Sequence, residues 1–181
     1  MIMSFFVLAQ QISGDIRASL SAGRSADQAL DDLLAATRAR AVGIWRHTDK
    51  RLLRIGFRAA ADMAPGVKEQ FAAATESVSL EQTGLGIVKS FVNEAPAIVT
   101  LTNDRYTAGT SESWLARFQA RQSLAVPIRQ ADCIVGVLAI STANELRPES
   151  LAWQVIVGVA AMLGQVIDEA SCTEGNCESA R

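Results

Sequence analysis

The residues that most often carry out chemistry in proteins, cysteine and histidine, are scarce in this sequence. The chain of 181 residues has three cysteines and one histidine. Cys133 lies in an apolar segment, where a buried thiol is normally inert, and Cys172 and Cys177 lie in a polar segment near the end. This pair and the single His47 predict neither a metal site nor a disulfide framework. We expect no metal ion and a reducing compartment, the cytoplasm.

Other arrangements that would support catalysis are also missing. His47 lies at the end of a predicted strand beside a turn, where an exposed or hydrogen-bonded side chain is expected. Asp31 and Asp32 are adjacent in a predicted helix, so their carboxylates point in different directions and indicate a solvated face. Gly84 and Gly86 lack the third glycine of a dinucleotide-binding loop, which favours a structural turn. We therefore predict no catalytic residue and no enzymatic activity.

The composition excludes several classes of protein. The chain has 17 basic and 19 acidic residues, so no excess of positive charge is available for nucleic acid. Hydrophobic residues make up 49% and charged residues 20%, against about 25% charged in a typical soluble domain. The uncharged stretch at residues 151–167 is short for a membrane span and ends at Asp168 and Glu169 rather than at basic residues. We expect no membrane association, and the apolar surplus predicts a helical interface between two copies.

The apolar periodicity predicts helices at both ends of the chain. A first helix, within residues 1–24, has a stripe formed by Ile2, Phe5, Phe6, Ala9, Ile12 and Ile16. A capping box of Ser25 and Gln28 predicts the start of a second helix. The final helix follows Pro148, and its stripe consists of Leu151, Val155, Val159, Met162, Val166 and Ala170. Residues 171–181 are predicted to be a disordered polar tail.

Between these helices the pattern changes to that of strands. Residues 41–47 and 51–59 form a predicted hairpin, in which Leu53, Ile55 and Phe57 alternate with arginines. Residues 123–129 and 133–142 form a second hairpin, whose last strand is apolar on both faces and must be covered on both. Short helices and one strand are predicted between the hairpins. The sum predicts an α+β fold with a central antiparallel β-sheet flanked by helices on both faces.

Two stretches resemble the GAF domain family, the ligand-sensing and dimerising modules of signalling proteins. They are TGLGIVKSFVNEAPAIV at residues 83–99 and SLAVPIRQADCIVGVLAIS at residues 123–141. The resemblance implies a GAF-like domain over residues 25–170, with the profilin-type architecture of GAF and PAS domains. It implies a small-molecule pocket between one sheet face and the helix that begins near Leu85. It also implies a homodimer through the N- and C-terminal helices, with residues 1–24 as a dimerisation helix.

Rings and polar groups near this pocket are candidate ligand-binding residues. A binding site combines an apolar lining with a few converging polar groups. The candidates are Trp45, Phe91, Thr100, Thr102, Arg105, Tyr106, Trp114, Phe118 and Ser123. The alternative interpretation is that the rings fill the core and that Arg105 is solvated. No cofactor follows from the sequence.

The chemistry of particular branches of the family is not matched. Bilin-binding members use a cysteine over the pocket, and residues 101–121 contain none. Members that reduce free methionine sulfoxide use several pocket cysteines, and only Cys133 lies inside the domain. The Asn-Lys-Phe-Asp-Glu signature of cyclic-nucleotide-binding members is absent from the sequence.

The leading hypothesis is therefore a cytoplasmic, non-enzymatic sensor that binds a small molecule non-covalently and signals through the terminal helices of a homodimer. Because no output domain follows residue 170, the signal is expected to reach a separate signalling protein. The alternative is a ligand-free dimerisation or adaptor scaffold. A third hypothesis is a small redox enzyme of the free methionine sulfoxide reductase type, acting through Cys133 or the two later cysteines.

Overall fold

The computed structural model describes residues 5–102 and 106–169, which form six helices and six strands. In chain order these are α1 (Phe5–Ser21), α2 (Asp27–Thr37), β1 (Ala39–Thr48), β2 (Arg51–Ala59), α3 (Val67–Ala74), β3 (Ser77–Ser79), α4 (Gly86–Val92), β4 (Ala97–Thr100), α5 (Ser111–Phe118), β5 (Gln122–Gln130), β6 (Cys133–Thr142) and α6 (Leu151–Glu169). The strands lie in the order β3-β2-β1-β6-β5-β4, and every pairing is antiparallel. The two predicted hairpins therefore form the middle of the sheet.

Alternating side chains of the central strands supply two separate apolar cores. In β6, Leu138 and Ile140 face the core that α1, α2 and α6 complete. Val137 and Ala139 of the same strand face the core that α3, α4 and α5 complete. Both faces of β6 are thus covered, as its sequence requires. The predicted α+β fold, with a central antiparallel sheet between helical layers, is confirmed.

The helices α1 and α6 pack against each other in parallel. Ser13 and Arg17 both contact Met162: the Ser13 hydroxyl lies 3.3 Å from its sulfur, and Arg17 Nη2 donates to its carbonyl at 2.7 Å. Ala9, nearer the start of α1, packs against Gly158, nearer the start of α6, where an added Cβ would lie 2.9 Å from that of Ala9. Both helices therefore begin at the same end of the domain.

The stripe predicted for α1 is buried only beyond the first turn. Phe5 and Phe6 are exposed. The buried part of the stripe consists of Ala9, Ile12 and Ile16. None of the helices in the described part of the chain has both the length and the hydropathy that crossing a bilayer requires.

At α2 the predicted capping box is wrong, and the predicted solvated face is modified: Asp32 is exposed, whereas Asp31 is half-buried. Ser25 lies two residues before the helix, so its hydroxyl accepts the N–H of Asp27 at 3.1 Å and forms no capping box with Gln28. The carboxylate of Asp31 is paired rather than simply solvated, because Arg58 of β2 faces this helix. Arg58 donates from two nitrogens to the two oxygens of Asp31, at 2.7 and 2.8 Å. These hydrogen bonds raise the pKa of the Arg58 guanidinium.

A β-bulge changes which side chains of β2 face each core. The register of β1 and β2 shifts between Ile44 and Trp45, which leaves Ile55 as an extra residue of β2. Ile55 packs with the core of α1, α2 and α6, whereas Phe57 packs with the opposite core. The alternation of Leu53, Ile55 and Phe57 is therefore interrupted, and the Phe57 ring joins the face on which the predicted pocket lies.

The environment of Cys133 also differs from the prediction. This residue begins β6 beside the hairpin turn and is exposed, because the buried part of the strand starts further along. The short strand β3, at the sheet edge, was not predicted, since three residues carry no readable alternation. The predicted tail at residues 171–181 lies outside the described residues.

Candidate functional site

A cavity of about 50 Å³ lies between the sheet and the layer formed by α3, α4 and α5. Its floor consists of small residues from the three central strands: Gly43, Ser123, Ala125, Ala139 and Ser141. Protein interiors are close-packed, so a space remains only where facing side chains are too small or too rigid to fill it. The small side chains of the floor therefore leave unfilled the space that forms the cavity.

Five aromatic rings form the rest of the cavity wall, two from strands β1 and β2 and three from helices α3 and α5. They are Trp45, Phe57, Phe71, Trp114 and Phe118. Phe71 of α3 is central, with its ring centroid 4.8 Å from that of Phe57, 5.1 Å from Trp114 and 5.0 Å from Phe118. Its pairs with Trp114 and Phe118 are edge-to-face, the geometry that the ring quadrupole favours. The wall is thus a mutually packed cluster.

The start of α4 reaches the cavity because Gly86 lacks a side chain. The Gly86 N–H donates to the Ser111 hydroxyl at 2.8 Å, which joins α4 to α5. A Cβ on Gly86 would lie 3.3 Å from Val99 Cγ2 and 3.5 Å from Ser111 Oγ. Gly84 is similarly close to Thr110, and neither glycine has a positive φ. The glycines at this turn therefore permit close approach and are not required for a left-handed backbone.

Several polar groups of the wall are already hydrogen-bonded within it. Trp45 Nε1 donates to the Thr75 carbonyl at 2.9 Å, and Thr75 Oγ1 donates to the Phe71 carbonyl at 2.8 Å. These bonds fix the Trp45 indole and the end of α3. The groups involved are satisfied inside the protein and are not free to select a ligand.

Two hydroxyls of the floor have no such partner. Ser123 of β5 and Ser141 of β6 are directly paired in the register of the hairpin, and both line the cavity. Neither hydroxyl makes a hydrogen bond to another residue of the described chain. Cross-strand partners on one face lie about 5 Å apart at Cβ, so the two hydroxyls can bind the same small group.

No charged side chain of the described residues lines the cavity. Arg40 lies outside it, where its Nε donates to the Phe118 carbonyl at 3.0 Å and its Nη1 pairs with Asp62 at 2.7 Å. The Arg54 guanidinium lies 5.9 Å from the centre of the Phe57 ring. Burial lowers the pKa of Arg54, and the charge of Glu76 partly opposes this shift. The described lining is therefore uncharged, although Arg40 Nη2 and Arg54 Nη1 are buried without hydrogen-bond partners beside the lining residues Phe118 and Phe57.

The structure brings together four of the nine predicted ligand-binding residues and separates the others. Trp45, Trp114, Phe118 and Ser123 line the cavity. Phe91 instead packs beside His47, with 4.4 Å between ring centroids, and Thr100 accepts a hydrogen bond from Gln122 at 2.9 Å. The remaining described candidates, Thr102 and Tyr106, are exposed, and Arg105 lies outside the described residues.

Sequence reasoning missed other lining residues. They include Phe57, Phe71, Thr75, Ser111 and Ser141. The family resemblance already extended over these positions. However, the bulge between β1 and β2 and a register shift between β5 and β6 after Ile128, which orient Phe57 and Ser141, leave no clear trace in the apolar pattern. Within the described residues, no group of three or more His, Cys, Asp or Glu side chains is placed to hold a metal ion.

A comparison with protein-family models matches residues 22–167 to the GAF domain. The chain belongs to the GAF domain family. The match includes both stretches on which the resemblance rested, and it includes every described residue that lines the cavity. In this GAF domain the cavity lies on the sheet face opposite α1 and α6.

Solved structures similar to this GAF domain include binding modules and enzymes. The GAF domain from Acinetobacter phosphoenolpyruvate-protein phosphotransferase has a TM-score of 0.63 at 19% identity, covering 96% of this chain and 98% of that one. A phycoerythrobilin-bound GAF domain from a cyanobacterial phytochrome has 0.62 at 13%, covering 97% and 100%. A type II free methionine-R-sulfoxide reductase from Thermoplasma acidophilum has 0.53 at 15%, covering 90% and 96%. These likenesses show the fold alone. A comparison with curated proteins gave no match.

Proposed function

We propose that this GAF domain is a non-enzymatic sensor that binds a small molecule non-covalently and signals through α1 and α6 of a homodimer. The observation that carries the proposal is the cavity, which combines an apolar ring wall with two unpaired hydroxyls on a rigid sheet. A binding site combines an apolar lining with a few converging polar groups, and these two half-buried hydroxyls, which have no protein partner, supply such groups at the floor of the cavity.

The strands that form the cavity floor also form the floor of the opposite core. Ser123 lines the cavity, and the next residue, Leu124, packs in the core of α1, α2 and α6. Ser141 and Ile140 are arranged in the same way on β6. A ligand that shifts these strands therefore also shifts the surface on which α6 rests. This shared surface supports the proposed transmission to the terminal helices.

The homodimer is proposed to involve the end of the domain at which α1 and α6 both begin. Large apolar side chains are exposed there, with Phe5 at 42% and Leu151 at 51% of their full exposure. Burial of such side chains is favourable at about 25 cal/mol per Å² of apolar surface. We expect Phe5→Glu to convert the dimer to a monomer in analytical ultracentrifugation. The control Val92→Glu, at an exposed position of α4, should leave the dimer intact, and an unchanged mass in both variants would reject this interface.

The position of the one described cysteine supports binding rather than redox catalysis. Cys133 is exposed at the hairpin turn and does not line the cavity. A redox enzyme acting there would lose activity towards free methionine sulfoxide in a Cys133→Ser variant. We expect no such activity in the parent protein, and its detection would replace the sensor proposal by the redox one.

Ligand binding can be tested by thermal denaturation with a panel of compounds. The panel contains cyclic nucleotides, nucleobases, organic acids and uncharged molecules of a few atoms. A ligand at 100 times its Kd stabilises the native state by about 2.7 kcal/mol, which raises the Tm of a domain of this size by about 5–10 °C. The proposal predicts such a rise for at least one class. A flat response to the whole panel would reject the sensor.

The small volume of the cavity favours a second candidate, a ligand-free dimerisation scaffold. Typical ligand pockets have volumes of about 300–1,000 Å³, well above the 50 Å³ found here. A scaffold would form the homodimer and fail to respond to every compound of the panel. The two candidates thus agree on the oligomeric mass and differ in the denaturation assay.

A further inference from the structure

The cavity has properties that restrict the chemistry of its ligand, and this restriction rests on the proposed sensor function. We infer that the ligand is a small uncharged molecule with a carbonyl, amide or hydroxyl group, which Ser123 and Ser141 bind together. Three observations carry the inference: the volume of the cavity, the absence of charged side chains from the part of its lining that the structure describes, and the pair of unpaired hydroxyls.

The volume limits the size of the ligand. The volume of about 50 Å³ is several times smaller than the about 300–1,000 Å³ of typical ligand pockets, which favours a ligand of a few non-hydrogen atoms. The ring wall leaves little room for more, because Phe71 packs against Trp114 at 5.1 Å and against Phe118 at 5.0 Å between centroids. A larger ligand would have to separate these rings. A ligand of only a few heavy atoms is expected to bind without such a change.

The lining limits the charge of the ligand. A carboxylate, phosphate or ammonium group placed here would lose its hydration and find no charged partner among the described lining residues. The Arg40 guanidinium is bonded to the Phe118 carbonyl and to Asp62 and keeps Nη2 buried without a partner, but Arg40 is not among the described lining residues. Anions and cations are therefore disfavoured. An uncharged molecule avoids this desolvation cost.

The two serines supply the polar recognition. Each hydroxyl can donate one hydrogen bond and accept others, so the pair suits a carbonyl, amide or hydroxyl group equally. Ser123 and Ser141 are direct register partners on a central hairpin, and their positions are fixed by the sheet. Ser111, near them at the edge of the cavity, already accepts the N–H of Gly86. The ligand's polar group is thus expected to face β5 and β6, with its apolar part against the rings.

Acetamide and acetate test the inference, because they have the same shape and four heavy atoms but differ in charge. Binding is measured from the indole N–H resonances of Trp45 and Trp114 in ¹⁵N-labelled protein. Ligand-efficiency limits allow a Kd no tighter than about 40 µM for a four-atom molecule, so the titration extends into the millimolar range. We expect acetamide to shift both resonances saturably and acetate to bind at least about tenfold more weakly.

Two variants test the assigned residues. The double variant Ser123→Ala, Ser141→Ala should weaken acetamide binding about tenfold or more, whereas Ser21→Ala, on α1, should not change it. Gly86→Ala, whose Cβ would lie 3.9 Å from Ser123 Oγ, should reduce binding by occupying the cavity while the helix remains favourable. Equal binding in the double variant would overturn the inference.

The remaining outcomes separate this inference from the proposed function. Binding of acetate as tight as that of acetamide, or a charged compound as the best ligand of the thermal panel, overturns the inference and leaves the sensor intact. A cavity that retains only water and responds to neither probe also overturns it. A flat response to the entire thermal panel rejects the sensor itself.

Discussion

Replacing Phe71 by alanine should remove the centre of the ring wall. The Phe71 centroid lies within 6.3 Å of the ring centroids of Trp45, Phe57, Trp114 and Phe118. Fully buried Phe→Ala substitutions cost about 3–5 kcal/mol, and aromatic pairs add about 0.5–1.5 kcal/mol each beyond buried area. Because Phe71 is only half-buried, we expect the lower value, about 3 kcal/mol, from this variant. The corresponding fall in Tm is about 6–12 °C.

The matched control is Phe91→Ala, a half-buried phenylalanine on α4 that contacts one ring only, that of His47 at 4.4 Å. This control should lower the free energy of unfolding by about 1 kcal/mol, the usual cost of a single substitution. Urea denaturation followed by tryptophan fluorescence measures both values. Equal losses in the two variants would refute the reasoning, because they would show that the cluster around Phe71 adds nothing to the stability of the cavity wall.

Two further predictions concern packing and charge away from the cavity. Gly164→Ala should lower the free energy of unfolding in urea by at least about 2 kcal/mol, because the added Cβ would lie 1.8 Å from the Arg129 carbonyl oxygen. The control Gly14→Ala, whose Cβ would have no atom within 4 Å, should raise it by up to about 1 kcal/mol. Asp31→Asn should cost about 1 kcal/mol at low salt, and less at high salt, by weakening the partly exposed pair with Arg58. Because the pKa of Arg58 is raised in the folded state, the stabilisation from this pair is fully present below the ordinary pKa of arginine and is lost only as the pH rises above it. The cost of Asp31→Asn should therefore stay constant around neutral pH.

The middle of the sheet could be predicted from the sequence because its hairpins carry strong apolar patterns. The strand from Cys133 to Thr142 is apolar on both faces, and the structure covers both. The family could be identified from two stretches of this region, and the family match confirms it. The prediction of a capping box at Ser25 was wrong because a local motif does not determine the residue at which tertiary packing lets the helix begin.

The cavity was harder to predict, because bulges decide which residues meet. The hairpin turn pairs Gln130 with Cys133, and a uniform register from there would place Ser123 opposite Ile140. A register shift between Ile128 and the next residue moves the partner of Ser123 to Ser141. A one-residue shift reverses the face of every later side chain, and the sequence pattern does not mark where it occurs.

The most direct test of the sensor account is whether ligand binding at the cavity is felt at α6. The chain has three tryptophans: Trp45 and Trp114 line the cavity, and Trp153 lies on α6, packed in the opposite core. During titration of the ¹⁵N-labelled protein with acetamide, the account predicts that the indole resonances of Trp114 and Trp153 shift with the same midpoint. A Trp153 resonance that stays fixed while Trp114 titrates would contradict transmission from the cavity to the terminal helices.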